Sequence, residues 1–176
     1  MRTYSVAFLS PLLFFLALPV QAVAQSAAPA SVPDQMPFDI TYGEPVTAAE
    51  AEAAVRRVVG EAMKAPRNWK LAVAVTDPGG ELVYLYRMDQ TQIGSVGVAI
   101  NKARTAARFR RTTEAFARAL EAPGGGVVPK LDGTLVASPG GFPIMRNGRI
   151  VGGIGCSGAL SSQDHAACRA GAVLGE

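Results

Sequence analysis

The fold turns on the last third of the chain: Ser138-Pro139-Gly140-Gly141-Phe142-Pro143-Ile144, then Asn147-Gly148-Arg149-Ile150-Val151-Gly152-Gly153-Ile154-Gly155-Cys156-Ser157-Gly158, then Gln163-Asp164. Asn147-Gly148 is a hairpin signal, because both residues tolerate the positive φ of a tight two-residue turn. Its arms are strands at about 142–146 and 149–155, and Ser161 then caps a last helix running to about Leu174. Gly153-Ile-Gly155-Cys-Ser-Gly158 matches G-x-G-x-x-G in form. A dinucleotide fold needs a following parallel strand and an acid about twenty residues on. Too few residues follow Gly158 for either. The glycines instead let backbone or ligand approach the strand closely.

Working outward, residues 71–75 (Leu-Ala-Val-Ala-Val) are apolar on both faces, as a central strand requires. Asp77-Pro78-Gly79-Gly80 is turn chemistry, so strands at 70–77 and 81–88 form an antiparallel hairpin. A short strand is also expected at about 134–137. Thr47 and Glu50 are spaced as a capping box for a helix over 47–64, with Ala54, Val55, Val58, Val59, Ala62 and Met63 on one face. A second helix runs from Ser95 to about Arg110. Its face of Gly97, Ala99, Ala103, Ala106 and Ala107 implies something packed very close. A short third helix spans 112–120. The expected class is α+β, an antiparallel sheet of about five strands with flanking helices.

Before this domain the chain reads as an address. Arg2, an apolar run from Val6 to Leu18 and Ala22-Val23-Ala24 form a secretory signal over 1–24, cut before Gln25. The run is too short, and too broken by Pro11, to anchor in a bilayer comfortably. Residues 25–46 are a Pro/Ala-rich linker that becomes ordered near Phe38 or Tyr42, and 47–175 is the folded domain. The expected location is periplasmic or secreted, with no membrane association after cleavage. The formal charge of +3 falls by one when Arg2 is removed, too little to indicate a nucleic-acid partner. Export puts Cys156 and Cys168 where a disulfide can form. They lie on a strand and the helix after it, so pairing depends on their facing; the alternative is two small buried hydrophobes.

The chemistry-bearing residues are few. Arg104, Arg108 and Arg111 fall at i, i+4 and i+7, a stripe suited either to carboxylate or phosphate groups or simply to solvent. Lys102 lies off that stripe beside Thr105, where the two could face a pocket. Asp164, three residues after Ser161, completes a capping box or serves a ligand site. His165 is the only histidine, a candidate metal ligand or base. There is no zinc spacing, phosphate loop or hydrolase elbow.

Residues 71–88, Lys102-Ala-Arg-Thr-Ala106, Pro139-Gly-Gly-Phe-Pro-Ile144, Gly152-Gly-Ile-Gly-Cys-Ser-Gly158 and Gln163-Asp164, in this order, resemble the GlcG/HbpS family of haem-binding or haem-degrading domains. The resemblance implies a profilin- or PAS-like sandwich of two or three layers, related to the C-terminal domain of PduO-type corrinoid adenosyltransferases. It implies haem as cofactor and a homo-oligomer, a dimer or larger. Some haem-binding relatives use a histidine in or near the first helix; residues 47–64 have none. Tyr42, Met63 and His165 are the remaining candidates for an iron ligand. The expected function is binding of haem or a similar small anionic planar ligand, for haem sequestration or sensing, with no catalytic residue assigned. Lys102, Arg104, Thr105, Phe142, Pro143, Gly155 and Asp164 would form the ligand site. The competing readings are an enzyme for a small hydroxy or oxo acid, with Lys102 or Asp164 moving a proton, and an accessory oligomer in an exported redox system that binds no haem.

Overall fold

A computed structural model describes residues 40–64 and 66–174. The expected signal segment 1–24 and most of the linker lie outside the described residues. Among the described residues, four α-helices and one four-stranded sheet form: α1 (Ala48–Met63), β1 (Ala72–Thr76), β2 (Leu82–Arg87), α2 (Ser95–Phe109), α3 (Thr113–Glu121), β3 (Gly141–Arg146), β4 (Arg149–Ser157) and α4 (Ser161–Cys168), with 3-10 turns at Gly125–Lys130 and Arg169–Gly171. The strand order is β2-β1-β4-β3, and every pairing is antiparallel. The class is α+β, as expected.

Local chemistry sets most boundaries. The Thr47–Glu50 capping box forms in both directions: the Thr47 amide donates to Glu50 at 2.7 Å, and the Glu50 amide to Thr47 Oγ1 at 3.2 Å. In the β1–β2 turn, Asp77 accepts from the Glu81 amide at 2.9 Å, and Gly80 takes a φ of +92°. β1 is buried along its whole length and sits centrally.

The two sheet faces are built differently. One face carries Leu71, Val73, Val75, Ile144 and Ile154 against Ala54, Val55 and Val58 of α1, a conventional aliphatic core. The other is nearly flat. A Cβ on Gly153 would lie 2.2 Å from the Ala103 carbonyl oxygen, and one on Gly155 would lie 2.1 Å from that of Ala99. The small face of α2 therefore rests on bare β4 backbone, with Ala72 and Ala74 of β1 alongside.

Two expectations are corrected. Residues 134–137 form no strand, so the sheet has four strands and not five. Their polar groups are used locally: Asp132 accepts from the Thr134 amide and hydroxyl (2.7 and 2.6 Å), the Leu135 amide donates to the Asp132 carbonyl, and the Val136 amide donates to Thr105 Oγ1 at 3.1 Å. The last helix ends at Cys168 and not near Leu174. Beyond it, Arg57 of α1 takes the carbonyls of Ala170 and Val173, and the Met145 amide donates to Ala172. The chain tightens there into the 3-10 turn Arg169–Gly171, and those side-chain and strand donors hold its carbonyls where an α-helical continuation would have run. The linker's last residues are bonded to the domain, with the Gly43 and Val46 amides donating to Ile150 and Val151 carbonyls at 2.9 and 2.8 Å.

Gly155→Ala should destabilise the protein by about 1–3 kcal/mol in urea melts, because the colliding atoms are backbone. Gly97, expected on the close-packed face of α2, is instead exposed with nothing within 4 Å of an added Cβ, so Gly97→Ala should be stabilising by about 0.5–1 kcal/mol in the same measurement.

Candidate functional site

Because Gly155 lets α2 lie directly on β4, Lys102 reaches across the strand's end. Its Nζ donates to the Cys156 carbonyl at 2.9 Å and to Asp164 Oδ2 at 3.0 Å. Asp164, on the first turn of α4, accepts from the Ala159 amide on its other oxygen at 3.0 Å. The capping role expected for Ser161 and Asp164 is not what forms: Leu160 holds the cap position, and Gln163 accepts from its amide at 3.1 Å. Asp164 is turned inward instead. Lys102 is 1 % exposed and Asp164 3 %. Gly140, at φ +120°, roofs the pair; a Cβ there would lie 2.9 Å from Lys102 Nζ.

The same knot contains sulfur. Cys156 is bonded to Cys168, with Cα atoms 5.6 Å apart, so β4 and α4 are joined covalently beside the ion pair. The ring of His165 packs on Phe142, centroids 4.6 Å apart, and its Nδ1 is enclosed without a hydrogen-bond partner.

The electrostatics follow from burial. Desolvation pushes the Lys102 ammonium down from its ordinary range and the Asp164 carboxyl up, while each charge pulls the other partly back. Neither group has the access that moving a substrate proton requires. The arrangement holds α2, β4 and α4 together.

The other expected ligand residues are dispersed. Thr105 is interior and accepts from Val136. Gly155 is covered by α2. Arg104 turns away to the Gly80 carbonyl at 3.0 Å and to Asn101. Phe142 pairs in register with Ile154 and Pro143 with Gly153, so the two occupy opposite sheet faces. The rest of the basic stripe is engaged too: Arg108 with Asp132 at 3.0 Å, and Arg111 over Phe116. The three iron-ligand candidates do not converge. The Tyr42 hydroxyl donates to the last carbonyls of α2, Ala107 and Arg108. Met63 stands exposed at the end of α1, and His165 is on α4. No cluster of three His, Cys, Asp or Glu side chains suited to a metal occurs among the described residues. The feature that sequence reasoning missed is the groove between α1 and β2, about 260 Å³, lined by Glu52, Val55, Arg56, Val59, Tyr84 and Tyr86. The alternation of Tyr84 and Tyr86 along β2 is its only sequence signal.

This fold, with glycines of β4 under a small-sided helix and an inward Lys–Asp pair, can be set beside known proteins. The family model described as "Haem degrading protein HbpS-like" matches residues 46–173. The chain belongs to the HbpS-like family. Within it, the chain is 36% identical over 91 residues to GlcG of Escherichia coli, covering 51% of this chain and 66% of GlcG. Among solved structures, a double mutant of Streptomyces reticuli HbpS superposes with a TM-score of 0.67 at 28% identity, covering 84% of this chain and 96% of HbpS. A PduOC:haem complex superposes at 0.65 with 24% identity, covering 72% and 92%, a likeness of fold.

Lys102→Met should lower stability by about 3–5 kcal/mol near pH 7, since it leaves Asp164 buried without a counter-charge. The sign with pH follows. Without Lys102 the Asp164 carboxyl is raised further, and a raised carboxyl favours the fold only while protonated. The deficit relative to wild type should therefore grow as pH rises from about 4. Urea melts between pH 4 and 8 measure it, and a deficit independent of pH would contradict the assignment.

Proposed function

We propose that this protein is exported and binds haem, as a sequestering or sensing protein and not as a catalyst. The observation that carries the reading is membership of the HbpS-like family over residues 46–173. The PduOC:haem complex, on the same fold, supports a haem-sized ligand. A catalytic role for Lys102 or Asp164 is disfavoured by their enclosure. Export is supported by the signal-like residues 1–24 and by the Cys156–Cys168 pairing, which suits an oxidising compartment. The protein acts as a homo-oligomer.

The residues fit haem in one respect and leave it loosely held in another. His165 is our first assignment for the iron. Its ring is fixed against Phe142, while the Tyr42 hydroxyl is engaged by α2. With Nδ1 enclosed, only Nε2 is left to ligate. A ligating histidine ordinarily donates its other N–H to an acceptor, and none is present among the described residues, so the bond to iron should be weak and readily exchanged. Bound haem would supply a redox-active iron centre; this chain's residues bind and orient it.

An absorbance titration with haemin should give a saturable Soret shift at stoichiometric amounts, and His165→Ala should weaken it by about tenfold or more. Tyr42→Phe should change it little. A non-saturating response like that of a control protein would overturn haem binding. N-terminal sequencing of protein recovered from the exporting host should begin at Gln25; a start at Met1 would overturn export.

A further inference from the structure

The two edges of the sheet are treated differently. The β3 edge is covered. The Met145 amide donates to Ala172, Met145 bridges Val173, and the Gly141 amide donates to Thr113 Oγ1. No described segment pairs with the outer edge of β2. Exposed edges are normally blunted by proline, lysine, extreme shortness or bulges, because their unpaired N–H and C=O groups template further pairing. Leu82–Arg87 is six residues long and contains neither proline nor lysine; its one bulge, at Val83, lies near its start and leaves Tyr84–Arg87 in regular register with Ala72–Val75. Its apolar side chains face solvent: Leu82 is 45 % exposed, Leu85 37 % and Tyr86 44 %, and Ile93 in the following loop is 86 %. The tyrosine-lined groove against α1 opens beside it.

From this edge we infer that β2 is the contact by which the chain self-associates: two copies pair their β2 strands edge to edge about a two-fold axis. The surplus apolar surface and the free backbone groups are then satisfied together. A two-fold axis makes identical strands antiparallel. The strand's ends are charged to match. Glu81 precedes it and Arg87 closes it, so antiparallel pairing sets Glu81 beside Arg87 of the partner subunit, and the reverse. Asp89 lies beyond the strand, in the turn. Within one chain these two positions are about 20 Å apart at the rise of a strand, too far to meet. The occupant favoured is therefore another copy and not an unrelated peptide. This inference rests on the reading that the protein is a homo-oligomer, and it names the surface.

Sedimentation equilibrium on the full protein, with hydrogen exchange at high and low concentration, tests it. The wild type should associate, and the amides of residues 82–87 should exchange more slowly as concentration rises. Arg87→Glu should weaken association by about tenfold or more, since like charges then face each other. Adding Glu81→Arg should restore it, which a purely local effect cannot do. Leu85→Lys should also dissociate the oligomer, whereas Val127→Lys, on the exposed 3-10 turn, should not. A wild type that is monomeric at every concentration overturns both self-association and the surface. An oligomer indifferent to Arg87→Glu and Leu85→Lys, with 82–87 exchanging freely, overturns the surface alone.

Discussion

The contact on which the structure depends is backbone against backbone, where α2 lies on β4 with no side chain between them. At Gly153 and Gly155 the β4 backbone approaches the carbonyls of Ala103 and Ala99 so closely that even a methyl group is excluded. Little hydrophobic area is available in such a contact, and its value is positional. It brings Lys102 near enough to the end of β4 for one amino group to reach a strand carbonyl and a helix carboxylate together. The opposite face, with its larger aliphatic side chains, supplies most of the apolar burial. One face gives the fold its stability and the other its geometry.

The inward pair is expensive to enclose and is compensated by completeness. Each charge loses several kcal/mol of hydration when buried. Here Lys102 has two strong acceptors, and Asp164 uses both oxygens. The arrangement works only if α2, β4, α4 and the Gly140 turn all hold their places, so a local error in any of them strands a charge. The Cys156–Cys168 bond restricts two of those four elements to each other. Ion pair and disulfide thus act on the same junction by different means, one electrostatic and one covalent.

Much of the architecture was legible in residue pattern. The doubly apolar run 71–75 indicated a central strand, Asp77–Gly80 and Asn147-Gly148 indicated the hairpins, and the alanine face of α2 indicated a close approach. Residues 134–137 misled because Leu-Val-Ala suits a strand, whereas Asp132 and Thr105 compete for its amides. The candidate site was half legible. Lys102 and Asp164 stood out by type and position, but 62 positions separate them, and no local pattern reveals that they neutralise each other. The place of Lys102 off the arginine stripe suggested a pocket; what draws it inside instead is the bare backbone of the facing strand at Gly153 and Gly155. The facing of the two cysteines was equally a tertiary matter.

The segment before α1 carries a mechanical implication. Thr41, Gly43 and Val46 hydrogen-bond to Ile150 and Val151 of β4, and Tyr42 closes the last carbonyls of α2. A load applied to the chain at residue 40 would therefore act on the start of an interior strand and on the end of its covering helix. Tension from a tether upstream would load those bonds first, and it would reach the sheet two strands away from β2. The domain can be held at its N-terminus without its open edge being peeled.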